Sequence, residues 1–248
     1  VPGLPVWEGT LYLDLLLPRP ANQAPAVVYL HGGGWRNGER SAGLHPWVGP
    51  LLAAHGFVVA NVTYRLSGRA PFPAQLDDVR AAVRWLRANA STYGIDPDRI
   101  GAMGDSAGGQ LALLLASTAE VQAVVARCAP TDFAAMPLDG EDEYLTPLFG
   151  GPRDATAELR RQASPLTHVH AGVPPTLLVH GELDETVPVE QVQRFADALR
   201  AHEVDVTFHL IEGVFHNLRD DVDLAWGNEP WEGLGVQALE FFRRTLSG

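Results

Sequence analysis

Short runs of consecutive apolar residues alternate along this chain with longer segments whose apolar positions recur at helical spacing. Residues 11–17, 26–30, 57–64, 99–103, 123–128, 176–180 and 206–211 read as strands. Between them, 75–90 carries Leu76, Val79, Val83 and Leu86 on one helical stripe, and 107–116 is apolar all round, as a buried helix must be. Residues 189–201 and 235–246 read as two further helices. Strands separated by helices predict βαβ units and a mostly parallel sheet flanked by helices. The inner strands are continuously apolar, as expected when both faces of a sheet are covered. The stretch 131–173 breaks the rhythm, being polar and rich in Pro, Gly and Asp. It is too small for a second domain and reads as an insertion over the active-site end of a single domain spanning 1–248.

Composition narrows the chemistry. The 248 residues are 46% hydrophobic and 19% charged, enough for one sizeable core. There is no lysine, so all 18 cations are arginine, which excludes a Schiff base and a P-loop lysine. The net charge of −12 argues against nucleic acid and anionic lipid as partners. No apolar run is long enough to span a membrane. Cys128 is the single cysteine, which excludes an internal disulfide and fits either redox compartment. The chain begins at Val1, which reads as a trimmed or processed start without a legible signal peptide. His168 and His170 are spaced i, i+2, but no third ligand accompanies them, so neither a metal nor a cofactor is expected. Oligomeric state is left open.

Three segments carry candidate chemistry. Gly104-Asp105-Ser106-Ala107-Gly108 matches G-x-S-x-G between a strand and an apolar helix. A sharp turn there would lift the Ser106 hydroxyl above the sheet, next to a helix N-terminus that favours developing negative charge. His31-Gly32-Gly33-Gly34-Trp35 follows a second strand. Its glycines let successive N–H groups face one cavity, so Gly33, Gly34 and Ala107 are the expected oxyanion donors. His31 is expected to brace that loop by a hydrogen bond. Trp35 is expected to line the cleft, and Phe215 to add apolar wall along with Trp226 and Trp231, although packing is the competing role for each.

A serine needs a base, and the base an orienting carboxylate. Asp184 and His216 each lie just past a strand end, where a parallel sheet collects its functional loops. Glu182 and Glu185 compete with Asp184 for the acid role but read as solvated loop charges. The order Ser106, Asp184, His216 is the one expected of an α/β-hydrolase.

With these residues the chain resembles the hormone-sensitive-lipase-like α/β-hydrolases, especially small carboxylesterases related to bacterial feruloyl and acetyl-xylan esterases. The resemblance lies in His31-Gly-Gly-Gly-Trp35, Asn61-Val-Thr-Tyr-Arg-Leu66, Tyr93-Gly-Ile-Asp-Pro97, Gly104-Asp-Ser-Ala-Gly-Gly109, His180-Gly-Glu-Leu-Asp184 and Glu212-Gly-Val-Phe-His216. It covers most of the chain apart from 131–173 and 217–232. It implies an α/β-hydrolase fold without a large cap, an open site, and a Ser106-His216-Asp184 triad working through an acyl-enzyme. The shared Arg65 and Asp78 read as a structural ion pair. Short-chain acyl esters are the expected substrates. An arylformamidase or a serine peptidase or amidase on the same triad, and a non-catalytic binding module, are the alternatives.

Overall fold

The computed structural model describes residues 2–4, 11–40, 48–136, 141–216 and 231–246. Its centre is an eight-stranded sheet in the order β1-β2-β4-β3-β5-β6-β7-β8. The strands are β1 (Pro2–Leu4), β2 (Leu11–Leu16), β3 (Ala24–Leu30), β4 (Val58–Val62), β5 (Ile95–Asp105), β6 (Ala123–Arg127), β7 (Thr176–Gly181) and β8 (Val206–Ile211). β1 and β2 run antiparallel to their neighbours, and β4 through β8 form the parallel body with β3.

Strand alternation sends successive side chains to opposite faces and builds two cores. Val28 and Leu30 of β3 join Ala102 and Val124 on one face, under α2 (Ala74–Ala88), α4 (Ala107–Ser117) and α7 (Val189–Ala201). Val27, Met103 and Val125 point the other way, under α1 (Val48–Ala54) and α8 (Trp231–Leu246). The one-turn helix α3 (Ala90–Tyr93) closes on Gly94, whose φ of +65° is the left-handed conformation glycine accepts without strain. β8 ends the sheet, and Leu210 there is 41% exposed.

Strands β2 to β8 and the longer helices lie where the apolar pattern predicts them, with ends shifted by a few residues, while the pattern gives no sign of the three-residue β1. α1 escapes that pattern: its seven residues hold two buried apolar anchors, Val48 and Leu52, around Gly49 and Pro50. The insertion is less irregular than its composition suggests. It forms a π-helical turn (Glu141–Leu145), α5 (Thr146–Phe149), α6 (Ala157–Ala163) and two 3₁₀ turns. Leu145, Leu148, Phe149 and Ala163 bury themselves in the α4-side core. Arg65 and Asp78 make the expected ion pair: the guanidinium donates from Nε and Nη2 to a carboxylate with no exposure. Trp226 and most of the loop 217–232 lie outside the described residues, as does the side chain of Trp231.

Candidate active site

β5 delivers Asp105 and stops, α4 starts at Ala107, and Ser106 alone makes the turn with φ 51° and ψ −117°. That is a costly conformation for a residue with a Cβ, and the surroundings enforce it. A Cβ on Gly104 would stand 2.3 Å from the Gly108 carbonyl, and one on Gly108 would stand 2.1 Å from the Leu30 oxygen. The elbow therefore closes only with glycine at both places. Ser106 N–H donates to the Arg127 carbonyl on the neighbouring strand at 2.7 Å. Beneath the turn, Asp105 accepts from the Tyr29 hydroxyl and pairs with Arg127, all three buried. Burial and the Asp105 charge push the Tyr29 hydroxyl well above its ordinary range, so it stays a donor.

His216 and Asp184 meet that serine from two later loops. His216 Nε2 is 2.9 Å from Ser106 Oγ, and His216 Nδ1 is 2.8 Å from Asp184 Oδ2. The other carboxylate oxygen, Oδ1, accepts from Thr186 N–H at 3.0 Å and Val187 N–H at 2.8 Å. Burial alone would raise the Asp184 carboxyl, but hydrogen bonds from His180, His216 and Val187 N–H more than offset it and hold the group below the usual carboxylate range. Asp184 is thus ionised, and His216 presents Nδ1–H to it and Nε2 to the serine.

The two loops are clasped together. Leu183 N–H donates to Val214 O and Glu182 N–H to Ile211 O, both at 2.9 Å, and Gly213 N–H donates to the Glu182 carboxylate at 3.0 Å. Glu182 is exposed, as expected of a loop charge, and its carboxylate also fastens the two loops. Glu185 stays exposed and takes no part in the serine–histidine chain.

The His31–Trp35 loop lies against the elbow: a Cβ on Gly32 would be 3.1 Å from Asp105 O and 3.5 Å from Ser106 Cβ. Gly33 at φ +115° and Gly34 at φ +60° turn the chain there. Among the described residues no hydrogen bond takes up their N–H groups, and Ala107 N–H stands at the start of α4, where a helix has no internal acceptor. His31 braces the loop as expected. Its ring stacks on Tyr64 at 4.2 Å, its Nδ1 is 2.8 Å from Gly32 O, and the Tyr64 hydroxyl donates to His31 O at 2.7 Å. Burial lowers the His31 pKa, which keeps the ring neutral.

The structure puts the Trp35 ring in the core instead of on the cleft wall. It is 3% exposed, donates from Nε1 to Gln110 Oε1 at 3.0 Å and tilts against Phe133 of the insertion. Its anchoring role follows from the indole needing both apolar packing and an acceptor when buried. The aromatic ring that does flank the glycine loop is Tyr144, half-buried, so close that a Cβ on Gly34 would be 2.4 Å from its Cδ1. Arg36 secures that segment by donating to Glu143 O at 3.0 Å. Nothing in the residue pattern marks Tyr144, because its position depends on how the insertion docks. Phe215, also half-buried, lines a 410 Å³ hollow along the acid loop together with Leu183, Glu185, Pro188 and Glu190. Ser106 and the glycine loop do not line that hollow. His168 and His170 each contact a separate backbone carbonyl, of Gln162 and Ser117. Cys128, His180 and Asp184 are the cluster of metal-donor types among the described residues, and it includes the acid already engaged by His216. No described helix is long and apolar enough to cross a membrane.

The chain is similar to known proteins in family and fold. The BD-FAE family model matches residues 13–199. LipM of Mycobacterium tuberculosis, named a carboxylic ester hydrolase, is 35% identical over 196 residues, covering 71% of this chain and 45% of LipM. Esterase LipC of the same organism is 33% identical over 202 residues, covering 73% and 50%. The chain thus spans about half the length of these curated relatives. Among solved structures, a truncated carbohydrate esterase from gut microbiota superposes with a TM-score of 0.82 at 26% identity, covering 95% of this chain and 91% of that one. Thermogutta terrifontis esterase 2 phosphonylated by sarin superposes with a TM-score of 0.84 at 25% identity, covering 98% and 94%.

Proposed function

This chain belongs to the BD-FAE family of α/β-hydrolases, and from that premise we propose that it is a serine carboxylesterase acting on short-chain acyl esters. The observation that carries the reading is the unbroken relay from Ser106 Oγ through the His216 ring to Asp184, with links of 2.9 and 2.8 Å. Both links are within hydrogen-bond range without rearrangement.

In this mechanism Ser106 Oγ attacks the ester carbonyl while its proton passes to His216 Nε2. The imidazolium so formed is held by Asp184, which stays ionised. The carbonyl oxygen becomes an anion facing the N–H groups of Gly33, Gly34 and Ala107, where loss of one donor costs roughly 3 kcal/mol of transition-state stabilisation. His216 returns the proton to the departing alcohol, leaving an acyl group on Ser106. Water then gives a proton to His216 and attacks the acyl carbonyl, and as the acyl–oxygen bond breaks His216 returns that proton to Ser106 Oγ and the acid leaves. Protonated imidazole cannot act as base, so activity falls as the medium is made acidic. The relatives named as esterases support the ester bond as target.

The test is turnover of p-nitrophenyl acetate, butyrate and longer esters beside N-formylkynurenine and a peptide anilide. The reading expects acetate or butyrate to be the best substrate and Ser106→Ala to lose at least a thousandfold in kcat. Wild-type turnover in Ser106→Ala, or a formamide or anilide outrunning every ester, would refute it.

A further inference from the structure

Asp184 carries a second imidazole. His180 sits on β7 with no exposed surface, and its Nε2 is 2.8 Å from Val187 O and 3.1 Å from Asp184 Oδ2. A carbonyl oxygen only accepts, so this Nε2 bears the proton. The N–H bonds to that carbonyl, with the carboxylate oxygen as the next acceptor at 3.1 Å. Three hydrogen bonds thus reach Asp184, from Thr186 N–H and Val187 N–H on Oδ1 and from His216 Nδ1–H on Oδ2, and His180 Nε2 stands 3.1 Å from that same Oδ2. The other ring nitrogen of His180 is buried with no hydrogen-bond partner. Simple packing does not call for a polar ring with one nitrogen unsatisfied, since an apolar ring would avoid that cost. What the imidazole supplies is the Nε2 donor.

We propose that His180 is a positioning residue, whose Nε2–H fixes the rotation of the Asp184 carboxylate and competes with His216 for Oδ2. The proposal rests on the triad reading and adds a tuning element to it. By taking part of the charge on Oδ2, His180 lessens the pull of Asp184 on a proton at His216. The base is thereby kept free at a lower pH than an unshared carboxylate would allow. Besides His180 and His216, the titratable group against this carboxylate among the described residues is the Cys128 thiol, whose Sγ lies within 4.8 Å of the His180 and Asp184 donor atoms. Burial and then the Asp184 charge push that thiol up, so it stays neutral, and the charges of Asp105 and Arg127 act on it from behind. On its other side His216 faces Ser106.

The experiment compares His180→Leu, which removes the donor, with His180→Gln, whose side-chain NH₂ reaches the place of Nε2. The acid limb of kcat/KM for p-nitrophenyl acetate is followed with pH, and thermal unfolding is followed in parallel. In His180→Leu the limb should move to higher pH by about half a unit, the size of a lost neutral donor. Plateau kcat should fall about tenfold with KM within about twofold, because the acid drifts while the substrate contacts stay. His180→Gln should keep the wild-type limb. A wild-type limb in His180→Leu, or equal movement in both variants, would overturn the proposal. Should His180→Leu fail to fold, ¹⁵N-histidine spectra of the wild-type protein, assigned with His180→Gln, decide. They should show His180 as the neutral Nε2–H tautomer, and an Nδ1–H tautomer or an imidazolium would overturn it. Loss of the triad reading itself would look different: Ser106→Ala would then retain turnover.

Discussion

Gly181→Ala is the sharpest steric test of how the triad is assembled. Gly181 ends β7, three residues before Asp184, and its φ lies outside the left-handed region, so alanine meets no backbone penalty there. The obstacle is contact alone. The new Cβ would lie 2.3 Å from Val214 O, 2.7 Å from Phe215 O and 2.9 Å from Val214 C. Those atoms are backbone of the loop carrying His216, and they cannot swing aside as a side chain can. Ordinary contact needs about 1 Å more room, so the histidine loop must retreat by roughly that distance. The Leu183–Val214 and Glu182–Ile211 hydrogen bonds strain with it. A displacement of this size in a catalytic base costs about a hundredfold in rate. Gly181→Ala should therefore lose about two orders of magnitude in kcat for p-nitrophenyl acetate, with KM little changed. Far-UV circular dichroism and a cooperative thermal transition should show the sheet intact, because the clash lies beyond its body. A folded Gly181→Ala protein with kcat within threefold of wild type would refute the steric argument.

Asp184→Asn should lower kcat by up to four orders of magnitude, since the amide cannot hold His216 in the required tautomer. The same variant tests stability against pH. Asp184 has a folded pKa below its unfolded value of 3.8, so its contribution is present above that value and lost as pH falls toward the folded one. Urea midpoints between pH 3 and 6 should therefore slope less steeply for Asp184→Asn than for wild type, and parallel slopes would contradict the sign. Gly34→Ala sets a Cβ 2.4 Å from the Tyr144 ring at a φ of +60°, so it should reduce turnover at least tenfold. Adding Tyr144→Ala removes the clash but not the backbone strain and should recover part of the loss, whereas strict additivity in the double variant would count against the contact.

What could be read from residues alone was whatever local grammar dictates. Alternating apolar runs marked the strands of the parallel body, because burial on both faces demands them. The elbow glycines were legible because a strand-to-helix reversal leaves no room for side chains, and the distances at Gly104 and Gly108 bear out that crowding. Asp184 and His216 were legible as residues just past strand ends. Contacts between elements were not. Trp35 follows the oxyanion glycines in sequence, yet an acceptor on α4 and a ring from the insertion draw it into the core. Glu182 reads as a surface charge and is one, but the bond it accepts from Gly213 N–H, just past β8, leaves no mark in the sequence. Tyr144 and His180 matter through neighbours 110 and four residues away, and neither partnership leaves a periodic trace. α1 is too short for helical periodicity to register, and its one local signal is Gly56, whose φ of +95° lets Phe57 N–H reach back to Leu52 O past the helix end.

The central claim is that Ser106 is a hydroxyl made nucleophilic by His216 and Asp184. Thermogutta terrifontis esterase 2 is known phosphonylated by sarin, and an organophosphate puts the same question here. The folded protein is treated with a fluorophosphonate at pH 8, and intact mass and peptide mapping follow. The account predicts one adduct per chain, on the peptide carrying Ser106, formed at a rate that collapses in His216→Ala and leaves Ser106→Ala unlabelled. An unlabelled wild-type chain, or an adduct on any other residue at a rate indifferent to His216, would contradict it.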